Sequence, residues 1–99
     1  MADLHTAMHH LAHITHAYRG HCSLYESFPQ EFTAVCDIPD NQVPNLDDVS
    51  PFLSLCRQRL LNTNTNTILE CRDYQRLSIN NGPPVHRLFL RCKVRDEGR

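Results

Sequence analysis

The stretch "TILECRDYQRLSINNGPPVHRLFLRCKV", residues 67–94, decides how this chain folds. Its second part, "VHRLFLRCKV", alternates without a break: Leu88, Leu90, Cys92 and Val94 fall on one side, and Arg87, Phe89, Arg91 and Lys93 on the other. Side chains of a β-strand point to opposite faces in turn, so one face of this strand reads as core and the other as basic with an aromatic at its centre. "NNGPP" ahead of it carries the Asn-Gly chemistry of a hairpin turn. The first part reads as the partner strand, although Ile68, Arg72 and Gln75 also fit helical spacing.

Upstream, "HTAMHHLAHITHAYRGHC", residues 5–22, holds six of the seven histidines. At about 100° per residue, Leu4, Met8, Leu11 and Tyr18 form one apolar stripe with Ala7 and Ile14 on its flank. His5, His9, His13 and His16 gather on the opposite side. Asp3 suits the start of this helix, Arg19 the negative end of its dipole and Gly20 its stop, which gives a helix over 3–19.

Three uses of the histidine face are open. It is a solvated polar surface, a metal site built on His9, His13 and His16, or a contact that responds to pH, because unperturbed imidazole titrates near 6.5. His10, not Glu, follows His9, so the HExxH pattern and its general base are missing.

Between these ends, "HCSLYESFPQEFTAVCDI" alternates unevenly, with Phe32, Ala34 or Val35, Cys36 and Ile38 fitting a short strand or a turn of helix. "PDNQVPNLDD", residues 39–48, has the proline, asparagine and aspartate content of a loop. Ser50 and Pro51 then open a helix over 51–62, with Phe52, Leu53, Leu55, Cys56, Leu60 and Leu61 as its apolar set and Arg57 and Arg59 outward. "NTNTNT", residues 62–67, ends it as a turn, since Asn and Thr side chains compete for backbone hydrogen bonds. The expected fold class is α+β: two helices packed on a small antiparallel sheet that includes a C-terminal β-hairpin, all within one domain over 1–99.

Composition excludes more than it assigns. The chain has 99 residues and a formal charge of −1, so no global attraction to nucleic acid or to an anionic membrane is expected. The charge is uneven: residues 57–99 carry nine of the ten basic side chains against four acidic ones. Arg87, Phe89, Arg91 and Lys93 therefore stand as a candidate nucleic-acid surface, cations on phosphates and Phe89 on a base. An exposed strand with alternating arginines is also an ordinary guarded edge. No apolar run is long enough for a membrane span and no secretion signal is present, so the expected place is intracellular, cytoplasmic or nuclear.

Five cysteines, at 22, 36, 56, 71 and 92, form no CxxC pair, and buried reduced thiols are expected. A composite site from Cys22, His21 and Cys36 lacks the tight ligand spacing of structural zinc. With three glycines there is no phosphate loop, and no catalytic pairing stands out, so neither an enzyme nor a bound cofactor is expected.

"SPFLSLCRQRLL", residues 50–61, resembles the BC box of SOCS-box proteins, the substrate receptors that recruit elongin B and elongin C to a cullin ubiquitin ligase. In that family one helix face docks into elongin C. The resemblance places Pro51, Phe52, Cys56 and Leu60 at the docking positions, with Leu55 and Arg57 beside the Cys and Phe52 standing where the family has Leu. Positions i, i+4 and i+8 share a helix face, as a groove requires.

The sequence thus points first to a non-catalytic protein-interaction module, an adaptor or inhibitor that self-associates as a homodimer, with ligase recruitment through helix 51–62 implied by the resemblance. A nucleic-acid binder using the hairpin and a metal- or pH-responsive regulator using the histidine helix are the alternatives.

Overall fold

The computed structural model describes residues 4–42, 49–63, 67–78 and 80–94. Along the chain the elements are α1 (Leu4–Ala17), β1 (His21–Phe28), β2 (Glu31–Pro39), α2 (Val49–Thr63), β3 (Thr67–Ser78) and β4 (Pro84–Val94). The four strands form one sheet in the order β1-β2-β4-β3, every neighbour antiparallel. Because β2 and β3 both oppose β4, they run the same way, and β2, α2 and β3 make a split βαβ unit with β4 inserted in the gap. This is the expected α+β class, two helices and an antiparallel sheet that contains the C-terminal hairpin.

Both helices lie on one face of the sheet, and the core is between them. Phe32, Ala34, Cys36 and Ile38 of β2 and Leu88, Leu90 and Cys92 of β4 point inward and are buried. They meet Ala7, Leu11 and Ile14 of α1 and Phe52, Cys56 and Leu60 of α2. Tyr18 stands edge-on to Phe52, ring centres 5.3 Å apart, and joins the helices across this core. Each fully buried large apolar side chain contributes about 1.5–3 kcal/mol, which makes this layer the main source of stability.

Three sequence expectations shift. The buried face of α1 centres on Ala7, Leu11, Ile14 and Thr15, with Met8 and Tyr18 only partly buried, so the helix is rotated from the expected stripe. Thr15 tolerates burial because its hydroxyl donates to the Leu11 carbonyl at 2.7 Å. Secondly, of the strand and helical-turn alternatives for Phe32, Ala34, Cys36 and Ile38 the strand is found, as β2, and residues 21–28 add an unexpected strand β1 in a hairpin closed by Pro29 and Gln30. Thirdly, residues 67–78 are strand throughout, which settles the helical alternative. Helix α2 begins at Val49, so Ser50 and Pro51 lie in its first turn, where proline is tolerated. Asp3 and residues 43–48, part of the expected loop, lie outside the described residues, as do 64–66 of the "NTNTNT" stretch. Residues 62 and 63 still belong to α2, and Thr67 opens β3.

The end of α1 follows the Schellman pattern. Gly20 N–H donates to the Thr15 carbonyl at 2.9 Å and Arg19 N–H to the His16 carbonyl at 2.8 Å. Arg19, at φ 62, takes the left-handed position that the sequence assigns to Gly20. In the β3–β4 turn, Asn80 and Asn81 take φ values of 53 and 61. Asn accepts this region better than other non-glycine residues, so the turn chemistry is as expected, with the left-handed pair one step earlier than Asn-Gly.

Two β-bulges shape the sheet. Pairing slips between Leu24 and Glu26 on β1 and between Cys71 and Asp73 on β3, leaving Tyr25 and Arg72 unpaired. Both slips sit at the level of the Ala34–Leu90 pair, on opposite edges. Past each bulge the parity of the strand reverses: Cys22 and Leu24 face the helices, then Ser27; Leu69 and Cys71 face them, then Tyr74 and Arg76.

Candidate functional site

Among the described residues no element covers the sheet face away from the helices, and the two bulges build its centre. Val35 and Phe89 are register partners on the two middle strands, both half-buried. Tyr25, freed from pairing by its bulge, turns onto Phe89, with ring centres 5.3 Å apart at 83°. Phe28 continues the same edge. Tyr25 and Phe28 are 61% and 52% exposed, values that mark them as unspent apolar surface on a small domain. From the other edge the second bulge sends Arg72 across the face: Nη1 donates to Glu26 Oε2 at 2.9 Å and to Thr33 Oγ1 at 3.1 Å.

Around this centre the arginines are already engaged. Arg87 grips Asp37, its register partner, through Nε and Nη2 at 2.8 and 2.9 Å. That bond to Asp37 holds the guanidinium above its ordinary value. Arg91 donates to Glu70 Oε1 through Nη2 at 2.9 Å and also lies 3.9 Å from Glu31. The row of Arg87, Phe89, Arg91 and Lys93 does share one face, as the alternation implied. Its two arginines face carboxylates of this chain, and Lys93 is exposed at the end of the row.

The helix α2 residues lie differently. Phe52, Cys56 and Leu60 are 0%, 0% and 3% exposed and belong to the core, while Pro51 and Leu55 are exposed. Burial pushes the Cys56 thiol up to about 12. A groove that took Phe52, Cys56 and Leu60 would have to draw them out of the domain.

The histidine face of α1 points to solvent: His5, His9, His13 and His16 are exposed. His10 turns partly toward α2, where burial, then Arg59, lowers its pKa. A cleft of about 370 Å³ opens beside this face, lined by His9, His13, His16, His21 and Cys22 with Ala12 and Gly20. Among the described residues no three His, Cys, Asp or Glu side chains come together as a metal ion would need.

Two further constellations emerge, the first joining Cys22 and Cys36, which the sequence offered only as part of a composite site with His21. Cys22 and Cys36 are cross-strand partners, and the Cys36 thiol donates to Cys22 Sγ at 3.4 Å. That hydrogen bond lowers the pKa of Cys22, and together with burial it raises that of Cys36. The second joins Tyr74, His86 and Asp40. His86 is completely buried, with Nδ1 hydrogen-bonded to the Tyr74 hydroxyl. Its Nε2 lies 2.9 Å from Asp40 Oδ1 but off the line of a good hydrogen bond, and the two Asp40 oxygens accept from Arg76 at 2.9 and 3.0 Å.

No family model matches this chain, and no curated protein and no solved structure matches it either.

The chemistry therefore rests on geometry alone. The uncovered face has an apolar, aromatic centre and a rim of ion pairs closed within the chain. Such an anatomy suits a protein partner better than a polyanion, since phosphate binding draws on cations free to replace counterions. No helix among the described residues is long and apolar enough to cross a membrane.

Proposed function

We propose that this chain is a non-catalytic binding module whose uncovered sheet face engages a second copy of itself. The observation that carries the reading is the Tyr25–Phe89 pair over Val35, an aromatic centre held in place by a bulge and left open to water. A two-fold interface lays one patch on its own copy, so an apolar centre meets an apolar centre. The arginines beside it carry their own counter-charges and bring no like-charge contact.

Area sets the strength. Four strands about 4.8 Å apart and about seven residues long at 3.3 Å each give a flat footprint of roughly 450 Å² per copy. Tight interfaces bury about 800 Å² per partner. A footprint of that size belongs with weak, transient interfaces, so the dimer forms and dissolves with concentration.

Sedimentation equilibrium over a wide concentration range tests this. The wild type should pass from monomer to dimer, and Tyr25→Glu with Phe89→Ser should stay monomeric with an unchanged circular dichroism spectrum. A chain that is monomeric at every attainable concentration sinks the self-association reading. So does a double variant that dimerises as well as the wild type.

A further inference from the structure

Among the described residues, Cys22 and Cys36 are two thiols held in mutual contact away from the open sheet face. Directly opposite residues on antiparallel strands have Cα atoms about 4.5–5.5 Å apart, inside the span a disulfide bridges. Their sulfurs are 3.4 Å apart, so closure to about 2.05 Å needs a shift of little more than an ångström. Access differs between the two. Cys36 is fully buried, whereas Cys22 is half-buried on the edge strand and forms part of the histidine-lined cleft.

We propose that Cys22 and Cys36 are a thiol–disulfide exchange pair that takes small disulfides of the glutathione type, with Cys22 attacking and Cys36 resolving. In the first step the Cys22 thiolate attacks one sulfur of the small disulfide. A bond forms between Cys22 Sγ and that sulfur, the original S–S bond breaks, and one thiolate leaves and takes up the proton that Cys22 gave to solvent. In the second, Cys36 attacks Cys22 Sγ, the bond from Cys22 to the small thiol breaks, and the Cys36 proton passes to the departing small thiolate. The protein loses two electrons and two protons, and the small disulfide becomes two thiols.

The asymmetry of the pair supports these roles. Cys36 donates its hydrogen bond to Cys22, which stabilises the thiolate where it is reachable. The cleft, about 370 Å³, falls in the range of small-molecule sites, and the imidazoles of His9, His13, His16 and His21 on its wall suit the carboxylates of a glutathione-like thiol. Of the other thiols, Cys56 and Cys92 are buried and pushed up to about 12 and 11. Cys71 is exposed and is the competitor to exclude.

The test treats the full chain with oxidised glutathione, alkylates remaining thiols and measures intact mass. Cleavage after Glu26 and Glu31 then separates the two cysteines. The expected product lacks two hydrogens and links the Cys22 peptide to the Cys36 peptide. Cys36→Ser should instead accumulate one glutathionyl group on Cys22, and Cys22→Ser should lose both products. Mapping of the wild type stands even if a variant fails to fold. Glutathionylation confined to Cys71, or a mixed disulfide on Cys22 that the wild type never resolves, overturns the proposal.

Discussion

Gly20 and Asp37 meet so closely that a β-carbon on residue 20 would lie 2.3 Å from the Asp37 carbonyl oxygen and 3.0 Å from the Thr15 methyl. The glycine here serves the approach of α1 to β2, and the left-handed conformation at the helix end falls on Arg19. The two positions should therefore respond oppositely. Arg19→Gly removes a left-handed penalty of about 1 kcal/mol and should stabilise the fold. Gly20→Ala must push backbone aside and should cost about 2 kcal/mol or more. Urea denaturation of both variants measures the pair; a stable Gly20→Ala variant would place the helix end wrongly.

On α2 the residues that resemble a docking face are the ones the core uses. Phe52→Ala should cost about 3–5 kcal/mol, a large share of a small domain's total stability. Leu55→Ala, 37% exposed in the wild type, should change stability by less than about 0.5 kcal/mol. Chemical denaturation separates them. Native mass spectrometry with elongin B and elongin C should show the folded chain unbound, and a stable ternary mass lost in Cys56→Ala would reverse this expectation.

Legibility in the sequence followed the regularity of each element. Strand β4 has no bulge, and its unbroken alternation of Leu88, Leu90 and Cys92 with Arg87, Phe89 and Arg91 could be read at once. Strands β1 and β3 each reverse parity at a bulge, so no period of two runs through "HCSLYESF" or "TILECRDYQRLS". That is why β1 went unread as a strand and β3 kept a helical alternative. The α1 stripe was offset because Thr15, polar by type, is buried through its bond to Leu11. The site suffered most. A basic row was visible, but the carboxylates that neutralise it come from β2 and β3, and the Tyr25–Phe89 and Cys22–Cys36 contacts exist only once the strands are paired.

If the basic row is silent because its charges are paired, removing the partners should expose it. Asp37→Asn with Glu70→Gln removes the carboxylates hydrogen-bonded to Arg87 and Arg91 while keeping side-chain shape, and leaves Glu31 3.9 Å from Arg91. The wild type should show little affinity for single-stranded nucleic acid. The double variant should gain binding that weakens steeply with salt, each newly free phosphate contact adding nearly one to the slope of log affinity on log salt. Fluorescence anisotropy across a salt series measures it. Strong binding by the wild type would move the nucleic-acid reading ahead of self-association.

The buried imidazole of His86 has its Nδ1 satisfied by one neighbour, the Tyr74 hydroxyl. Tyr74→Phe removes that partner and leaves a polar atom buried without a hydrogen bond, at a cost of about 1–3 kcal/mol. Asp40 adds a pH dependence of its own. The Arg76 guanidinium on its carboxylate, with His86 beside it, lowers its pKa. A carboxyl held lower in the folded state than the unfolded value of about 3.9 stabilises fully above that value, and the contribution is lost as pH falls through the folded one. Stability should thus decline with acid below about pH 4 more steeply in the wild type than in Asp40→Asn, where this titration is absent. Thermal melts of the two proteins from neutral pH downward give the comparison. Parallel curves would show that Asp40 is held no lower in the folded chain than in the unfolded one, and that the Arg76 pair closes over the His86 end of the sheet without stabilising it.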